Sequence, residues 1–155
     1  MQCLLVSRGV TDELHHHLVF LTALSCNNNI IERVNVLKLL GVLIDNDLKW
    51  DSHINSICAK ASSRLFFVKQ LKRNSVGRDD LLYFYTTAIR PVLEYACPAW
   101  HSSLTQKLSS CIERIQKRAL PVFIICGSGD YVNLCTNCNI ISLSERRDLL
   151  SEEFF

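Results

Sequence analysis

The chain has 155 residues, of which 48% are hydrophobic and 21% are charged. This length and composition exclude wholesale disorder and supply enough apolar side chains for a buried core. The formal net charge of +2 is unevenly distributed: residues 1–48 hold three Lys or Arg against five Asp or Glu, residues 49–120 hold twelve against five, and residues 121–155 hold two against five. The positive middle could meet a polyanion, or it could be a solvated helical surface.

The eight cysteines are scattered and mostly lie in apolar stretches, which favours free thiols over a disulfide framework. Residues 18–24 form a short apolar run, but acidic residues and three histidines precede it where an export signal has basic residues. The run is also shorter than the ~20 residues that cross a bilayer. We therefore expect an intracellular protein, cytoplasmic or nuclear, without a membrane partner.

The N-terminal part of the sequence predicts short strands separated by polar turns. Residues 4–6 and 18–24 are candidate strands, and residues 27–29 are three asparagines, which favour a turn. Residues 34–44 fit a buried strand or a hairpin arm, and the acidic residues 45–47 predict a turn.

From Asp51 the apolar residues recur at three- and four-residue steps, which predicts one long helix. Its inner stripe would be formed by Ile54, Ile57, Cys58, Ala61, Leu65, Val68 and Leu71. Phe66 and Phe67 lie off this stripe, so we expect the helix to contact apolar partners on more than one side. Residues 74–77 end it.

A second helix is predicted over residues 81–89, with Asp79 and Asp80 in its first turn. Pro91 predicts a break or kink at Arg90, because its ring disfavours helical geometry in the preceding residue. A short helical continuation to Trp100 follows.

A third helix is predicted over residues 105–120, stopped by Pro121, with Arg114, Lys117 and Arg118 mostly outward. Residues 127–129 would form a hinge or cap, residues 130–137 a short helix, and Ser142 with Glu145 the capping box of a last helix. The predicted fold class is mainly α with a small N-terminal β segment (α+β). The predicted domains are a β-rich segment over residues 1–48 and a helical region over residues 49–155.

Four landmarks occur in one colinear order between residue 30 and the end of the chain. They are residues 38–45 with the following Leu48, Trp50, His53 and Ile54, then residues 89–101, residues 112–120 and residues 143–148. Together they resemble the region just after the catalytic palm in reverse transcriptases of non-LTR (LINE, jockey-like) retrotransposons.

This resemblance implies that residues 1–48 end the palm and residues 49–155 form a helical, thumb-like bundle or connector. It also implies a truncated RNA-directed DNA polymerase that lacks the palm and is not an enzyme on its own. Magnesium would belong only to the full-length parent enzyme, so we expect no cofactor here. The match fades before residue 27, and Pro121 departs from the family pattern.

No catalytic residue is predicted. Template-directed polymerisation needs carboxylates that hold two metal ions, which the family places in an aromatic-x-Asp-Asp hairpin. Asp79-Asp80 has Gly77 in the aromatic position and follows the family's Leu40-Gly41-Val42 landmark, whereas the family's pair precedes it. Asp45 and Asp47 also follow that landmark, and we expect turn roles for them.

No metal site is predicted either. Cys135-x-x-Cys138 has half of a zinc-site spacing, but no histidine follows His101 to complete it. The three consecutive histidines would point to opposite faces of a strand. Cys97 and His101 are four residues apart, but no orienting acid is apparent in the sequence, so a structural role is expected.

The candidate site is a basic set on two helices. Its members are Lys60, Arg64, Lys69, Lys72, Arg73, Arg114, Lys117 and Arg118. By resemblance, these residues would contact the phosphates of an RNA or DNA duplex, weakly and without sequence readout. Trp50 and Trp100 are expected to be core anchors instead of stacking platforms.

The alternative is a small helical protein-interaction module derived from such an element. Phe66, Phe67 and an apolar surface left without its palm would favour self-association or a protein partner. The basic middle of the chain favours the nucleic-acid hypothesis.

Overall fold

The computed structural model describes residues 5–6, 25–26, 29–123 and 130–154. The chain divides into two compact units, residues 1–53 and residues 54–155. The first unit holds short paired strands and the second is helical, which confirms the predicted mainly α fold with a small N-terminal β segment. No helix in the described part of the chain is long and apolar enough to cross a lipid bilayer.

The described strands of the first unit form three pairs. The elements are β1 (Leu5–Val6), β2 (Ser25–Cys26), β3 (Asn29–Ile30), β4 (Arg33–Val34), β5 (Val36–Leu39) and β6 (Val42–Asp45). β1 pairs in parallel with β4, whereas β2–β3 and β5–β6 are antiparallel. The predicted strand over residues 18–24 and the first two asparagines of the predicted turn lie outside the described residues.

β5 and β6 form a tight hairpin in which Leu39 pairs with Val42. Its two loop residues both have positive φ, 48° at Leu40 and 89° at Gly41. Two-residue hairpin loops favour this left-handed geometry because it matches strand twist, and glycine adopts it without a Cβ clash. A hairpin arm was expected here, but the prediction that its first strand is buried is wrong. β5 is largely exposed, and Leu40 in the loop is 84% exposed.

The predicted acidic turn after β6 leads directly into the first helix, α1 (Asp51–Arg73). Leu48 N donates to Asp45 O at 3.0 Å, which closes the turn. Asp45 Oδ2 then accepts a hydrogen bond from Ser52 N at 3.0 Å, so a carboxylate satisfies an otherwise free amide at the helix start. Trp50 is buried, as expected of a core anchor.

α1 follows the predicted stripe. Ile54, Ile57, Ala61, Leu65 and Val68 are buried, and Cys58 and Leu71 are half-buried. The expectation of apolar partners on a second side is wrong for the part of the chain that the structure describes. Phe66 and Phe67 are each 57% exposed and contact one another.

The next helical stretch consists of α2 (Arg78–Phe84), a π-helical turn (Tyr85–Ile89) and α3 (Arg90–Glu94). The chain stays helical through Pro91, so a break at Arg90 is wrong. The helix does change from π to α between Ile89 and Arg90, where the break or kink was predicted. A π-helical turn lets the chain accept Pro91 at the start of the following helix, where the missing N–H would have had no α-helical partner. Short 3₁₀ turns continue to Ser103, and Trp100 is fully buried.

The third long helix, α4 (Gln106–Phe123), does not stop at Pro121. The proline lies in the last turn, so the hydrogen bond that it removes is confined to the helix end. Leu120 and Phe123 are buried on either side of it, and this packing holds the last turn in helical form. Lys72 Nζ contacts Pro121 O at 3.5 Å and so provides a donor for a terminal carbonyl.

Two short helices complete the second unit, α5 (Tyr131–Asn137) and α6 (Leu143–Glu152). Asp130 caps α5 through Tyr131 N at 2.8 Å. Ser142 and Glu145 form the predicted capping box, with Glu145 N donating to Ser142 Oγ at 3.2 Å and Ser142 N donating to Glu145 Oε2 at 3.1 Å. The predicted hinge over residues 127–129 lies outside the described residues.

Candidate nucleic-acid interface

One face of α4 carries four cations. Arg114, Lys117 and Arg118 were predicted to point outward and all three are exposed. Lys107 lies seven residues before Arg114, close to two helical turns, so it extends the same face. The four residues span about 16 Å along the helix at 1.5 Å per residue. Sequence reasoning missed Lys107, although its seven-residue spacing was the available signal.

These four cations are not neutralised by neighbours. None forms an ion pair with a residue that the structure describes. Lys117 Nζ lies 4.8 Å from the centre of the Tyr131 ring, and Arg114 Nη2 lies 3.9 Å from Cys111 Sγ. Both contacts leave a full positive charge available to an anion.

The only acid in α4, Glu113, is half-buried one turn before Lys117, and both side chains contact Tyr131. Glu113 Oε1 accepts hydrogen bonds from Leu143 N at 3.1 Å and from Tyr131 Oη. The carboxylate thereby joins α4 to the start of α6 and to α5. The exposed charged side chains of α4 are all cations.

The cations of α1 are divided between two flanks. On one flank Arg64 Nη1 donates to Ala88 O in the π-helical turn, and Lys60 lies one turn earlier on the same side. On the other flank Lys72 contacts Pro121 of α4. Lys69 lies three residues before Lys72, and Arg73 directly follows it. Both side chains are rotated further toward this flank than Lys72 is.

The C-terminal ends of α1 and α4 meet, because Lys72 of α1 contacts Pro121 of α4. Cys58, earlier in α1, is half-buried. Burial raises the pKa of the Cys58 thiol to about 11, so this group is neutral at physiological pH.

Seven exposed cations lie on the two helices that the Lys72 to Pro121 contact joins. We call this set the two-helix basic surface; it consists of Lys69, Lys72, Arg73, Lys107, Arg114, Lys117 and Arg118. Lys60 and Arg64 lie on the opposite flank of α1 and are not part of it. All of the predicted basic residues are exposed.

The other sequence candidates have structural partners. Asp79 and Asp80 occupy the first turn of α2, as predicted. Cys135 and Cys138 are buried, and Cys135 Sγ lies 3.8 Å from Gln116 Nε2. No group of three or more His, Cys, Asp or Glu among the described residues could hold a metal ion.

His101 has an acid partner that sequence reasoning did not find. His101 Nε2 lies 2.6 Å from Asp148 Oδ1, and Arg147 Nε donates to His101 Nδ1 at 3.3 Å. Because a guanidinium only donates, Nδ1 accepts and Nε2 carries the hydrogen that Asp148 receives. Both ring nitrogens are occupied, and burial raises the pKa of the Cys97 thiol, so the residues form a structural cluster and no activated nucleophile.

A buried polar network surrounds Gln116 of α4. Gln116 is fully buried; its Oε1 accepts from Tyr85 Oη at 2.7 Å, and its Nε2 donates to Tyr131 Oη and to Ile141 O, each at 2.9 Å. One side chain therefore links the π-helical turn, α4, α5 and the segment before α6. Sequence reasoning missed it because Gln116 looks like an ordinary polar helix residue.

Comparisons with protein-family models, with curated proteins and with solved structures give no match. The resemblance to reverse transcriptases therefore rests on the sequence landmarks alone.

Proposed function

We propose that this chain binds nucleic acid through its phosphate backbone, as the thumb-like part of a non-LTR retrotransposon reverse transcriptase. The carrying observation is the two-helix basic surface, in which α1 and α4, joined by the Lys72 to Pro121 contact, present seven exposed cations. A surface of this kind attracts a polyanion and reads no base sequence. The colinear landmarks support the same proposal from the sequence side.

On this proposal, these residues bind nucleic acid and take no part in polymerisation. The sequence has one Asp-Asp pair, Asp79-Asp80, and Gly77 stands where an aromatic residue would be needed. Both aspartates are exposed at the start of α2, where carboxylates suit the positive end of the helix dipole. On this proposal, metal-assisted chemistry belongs to a palm in the parent enzyme.

The test is a salt series with a fluorescent duplex of mixed sequence, measured by anisotropy. Backbone binding releases counterions, so the logarithm of the association constant should fall linearly as the logarithm of salt concentration rises. A second duplex of unrelated sequence should give the same affinity and slope. No binding at low salt, or a slope near zero, would overturn the proposal.

A second candidate is a protein-interaction module that self-associates. The observation that favours it is an open cleft of about 560 Å³ between α5 and the segment before α6, bordered by Val132 and Ile141, which are 65% and 44% exposed. Exposed apolar groups in a concave surface are typical of interfaces. Light scattering over a concentration series tests it, because a monomer at all concentrations would remove this candidate.

A further inference from the structure

The exposed aromatic pair of α1 lies between two groups of cations. Phe66 and Phe67 are each 57% exposed, and their ring centres are 6.0 Å apart with the planes at 74°. Such an edge-to-face pair covers at most one face of one ring. The pair therefore leaves flat π surface open to solvent in two directions.

The cations on either side follow the helical spacing. Phe67 lies three residues after Arg64 and seven after Lys60, so these three side chains share one flank of α1. Phe66 lies three residues before Lys69 and seven before Arg73, so these three side chains share another flank of α1. The aromatic pair thus joins Lys60 and Arg64 to the two-helix basic surface.

The neighbourhood on α1 is free of acid and sterically open. The only carboxylate in α1 is Asp51, at the start of the helix and four turns from Phe66. The turn before the pair carries Ser62 and Ser63, whose short side chains leave the ring faces accessible. Cations with exposed aromatic rings are the combination by which proteins hold unpaired nucleotides, since every base has a π face.

We propose that Phe66 and Phe67 form a stacking platform for unpaired bases, next to the duplex-binding surface. This inference deepens the proposed function and rests on it. The occupant is single-stranded RNA or DNA: its bases stack on the rings, and Lys60, Arg64, Lys69 and Arg73 contact the phosphates on both sides. A purely apolar partner would leave these four cations without a counter-charge, so charge complementarity favours the nucleic acid.

The experiment compares variants that distinguish the contribution of the aromatic ring faces to binding from that of hydrophobic area. Phe66→Leu with Phe67→Leu keeps an apolar surface and helix propensity but removes both π systems. Phe66→Tyr with Phe67→Tyr keeps the rings and is the matched control. The probes are fluorescent oligo-dT and oligo-U of about 12 nucleotides, within the range that single-strand sites occupy, and a blunt duplex of mixed sequence.

We expect the leucine variant to bind both single strands at least fivefold more weakly, corresponding to the ~1 kcal/mol lower bound for stacking one base. Its duplex affinity should stay unchanged, and the tyrosine variant should match the parent on all probes. Circular dichroism should show equal helix content in all three proteins. Similar losses with oligo-dT and oligo-U identify the base and not the sugar as the contact.

Other results overturn the inference. If the leucine variant keeps its single-strand affinity, the rings do not stack on bases. If alanine at both positions lowers the mass in light scattering without changing single-strand affinity, the pair is a protein interface. If the parent chain binds the duplex with a normal salt slope but binds no single strand, only the stacking platform is refuted. If it binds neither probe, the proposed function is refuted as well.

Discussion

Tyr85 Oη donates a 2.7 Å hydrogen bond to Gln116 Oε1 where both side chains are completely buried. Tyr85 begins the π-helical turn and Gln116 lies in α4, so the bond fixes one helical segment against another. Burial raises the pKa of the Tyr85 hydroxyl, which therefore remains a donor over the working pH range. A buried amide is tolerable in a helical core only when it is satisfied, and Gln116 is satisfied at both ends.

Replacing Gln116 by leucine should destabilise the protein by about 2 kcal/mol, because it leaves the buried hydroxyl of Tyr85 without its partner and removes the hydrogen bond to the part-buried Ile141 carbonyl. Urea unfolding should show a lower midpoint with an unchanged slope. The matched variant, Tyr85→Phe with Gln116→Leu, removes the stranded hydroxyl and should recover part of the loss. A Gln116→Leu protein as stable as the parent would contradict the network.

Removing Arg114, Lys117 and Arg118 together by alanine substitution should weaken duplex binding regardless of sequence. Each lost phosphate contact should flatten the salt slope by about 0.9 on duplex DNA. Adding Lys107→Ala should flatten it further, since this residue extends the same face. Alanine is at least as good a helix former as arginine or lysine, so circular dichroism should not change.

The control for this series removes two cations elsewhere. Arg33→Ala with Lys38→Ala takes two exposed cations from the strand unit, outside the two-helix basic surface. We expect little change in affinity or slope for this protein. If each removed charge changes affinity and slope equally in the control and in the α4 variants, binding depends on net charge and not on a defined surface.

The isolated chain should not extend a primer on an RNA template with magnesium or manganese. The exposed pair Asp79 and Asp80 lies in the first turn of α2 and has no third carboxylate positioned with it among the described residues to hold two ions. Extension assays with labelled primer test this. Activity that disappears in Asp79→Asn with Asp80→Asn would reverse the assignment of these residues to the helix start.

Cys58 should react slowly with iodoacetamide at pH 8. Burial raises its pKa from the ordinary 9.0 to about 11, which lowers the thiolate fraction roughly 100-fold relative to the unfolded chain. Site-resolved mass spectrometry of native and urea-unfolded protein measures the ratio. Equal rates in the two states would show that the thiol is solvated.

The same shift predicts a pH dependence of stability. A group whose folded pKa is raised contributes stability that is complete below its unfolded value near 9 and is lost as pH rises through about 11. The free energy of unfolding should therefore fall more steeply over that window in the parent than in Cys58→Ala. Parallel curves would mean that Cys58 titrates alike in both states.

The helices and their caps could be predicted from the sequence because they depend on neighbours within a turn or two. The three- and four-residue recurrence from Ile54 to Val68 identified the inner stripe of α1, and Ser142 with Glu145 identified the start of α6. The predictions from single prolines were less successful. Pro91 and Pro121 both lie within helical chain, because a π-helical turn and buried flanking side chains override the local preference.

The sequence by itself determined the helical character of the second unit, the outward direction of Arg114, Lys117 and Arg118, and the excess of positive charge. Only the tertiary structure decided that Lys72 contacts α4 at Pro121, while Arg64 contacts Ala88 in the π-helical turn. It also decided that Asp148 orients His101, 47 positions earlier in the chain. Periodicity defines the faces of one helix, but which face meets which neighbour depends on how distant segments pack, and no local pattern encodes that.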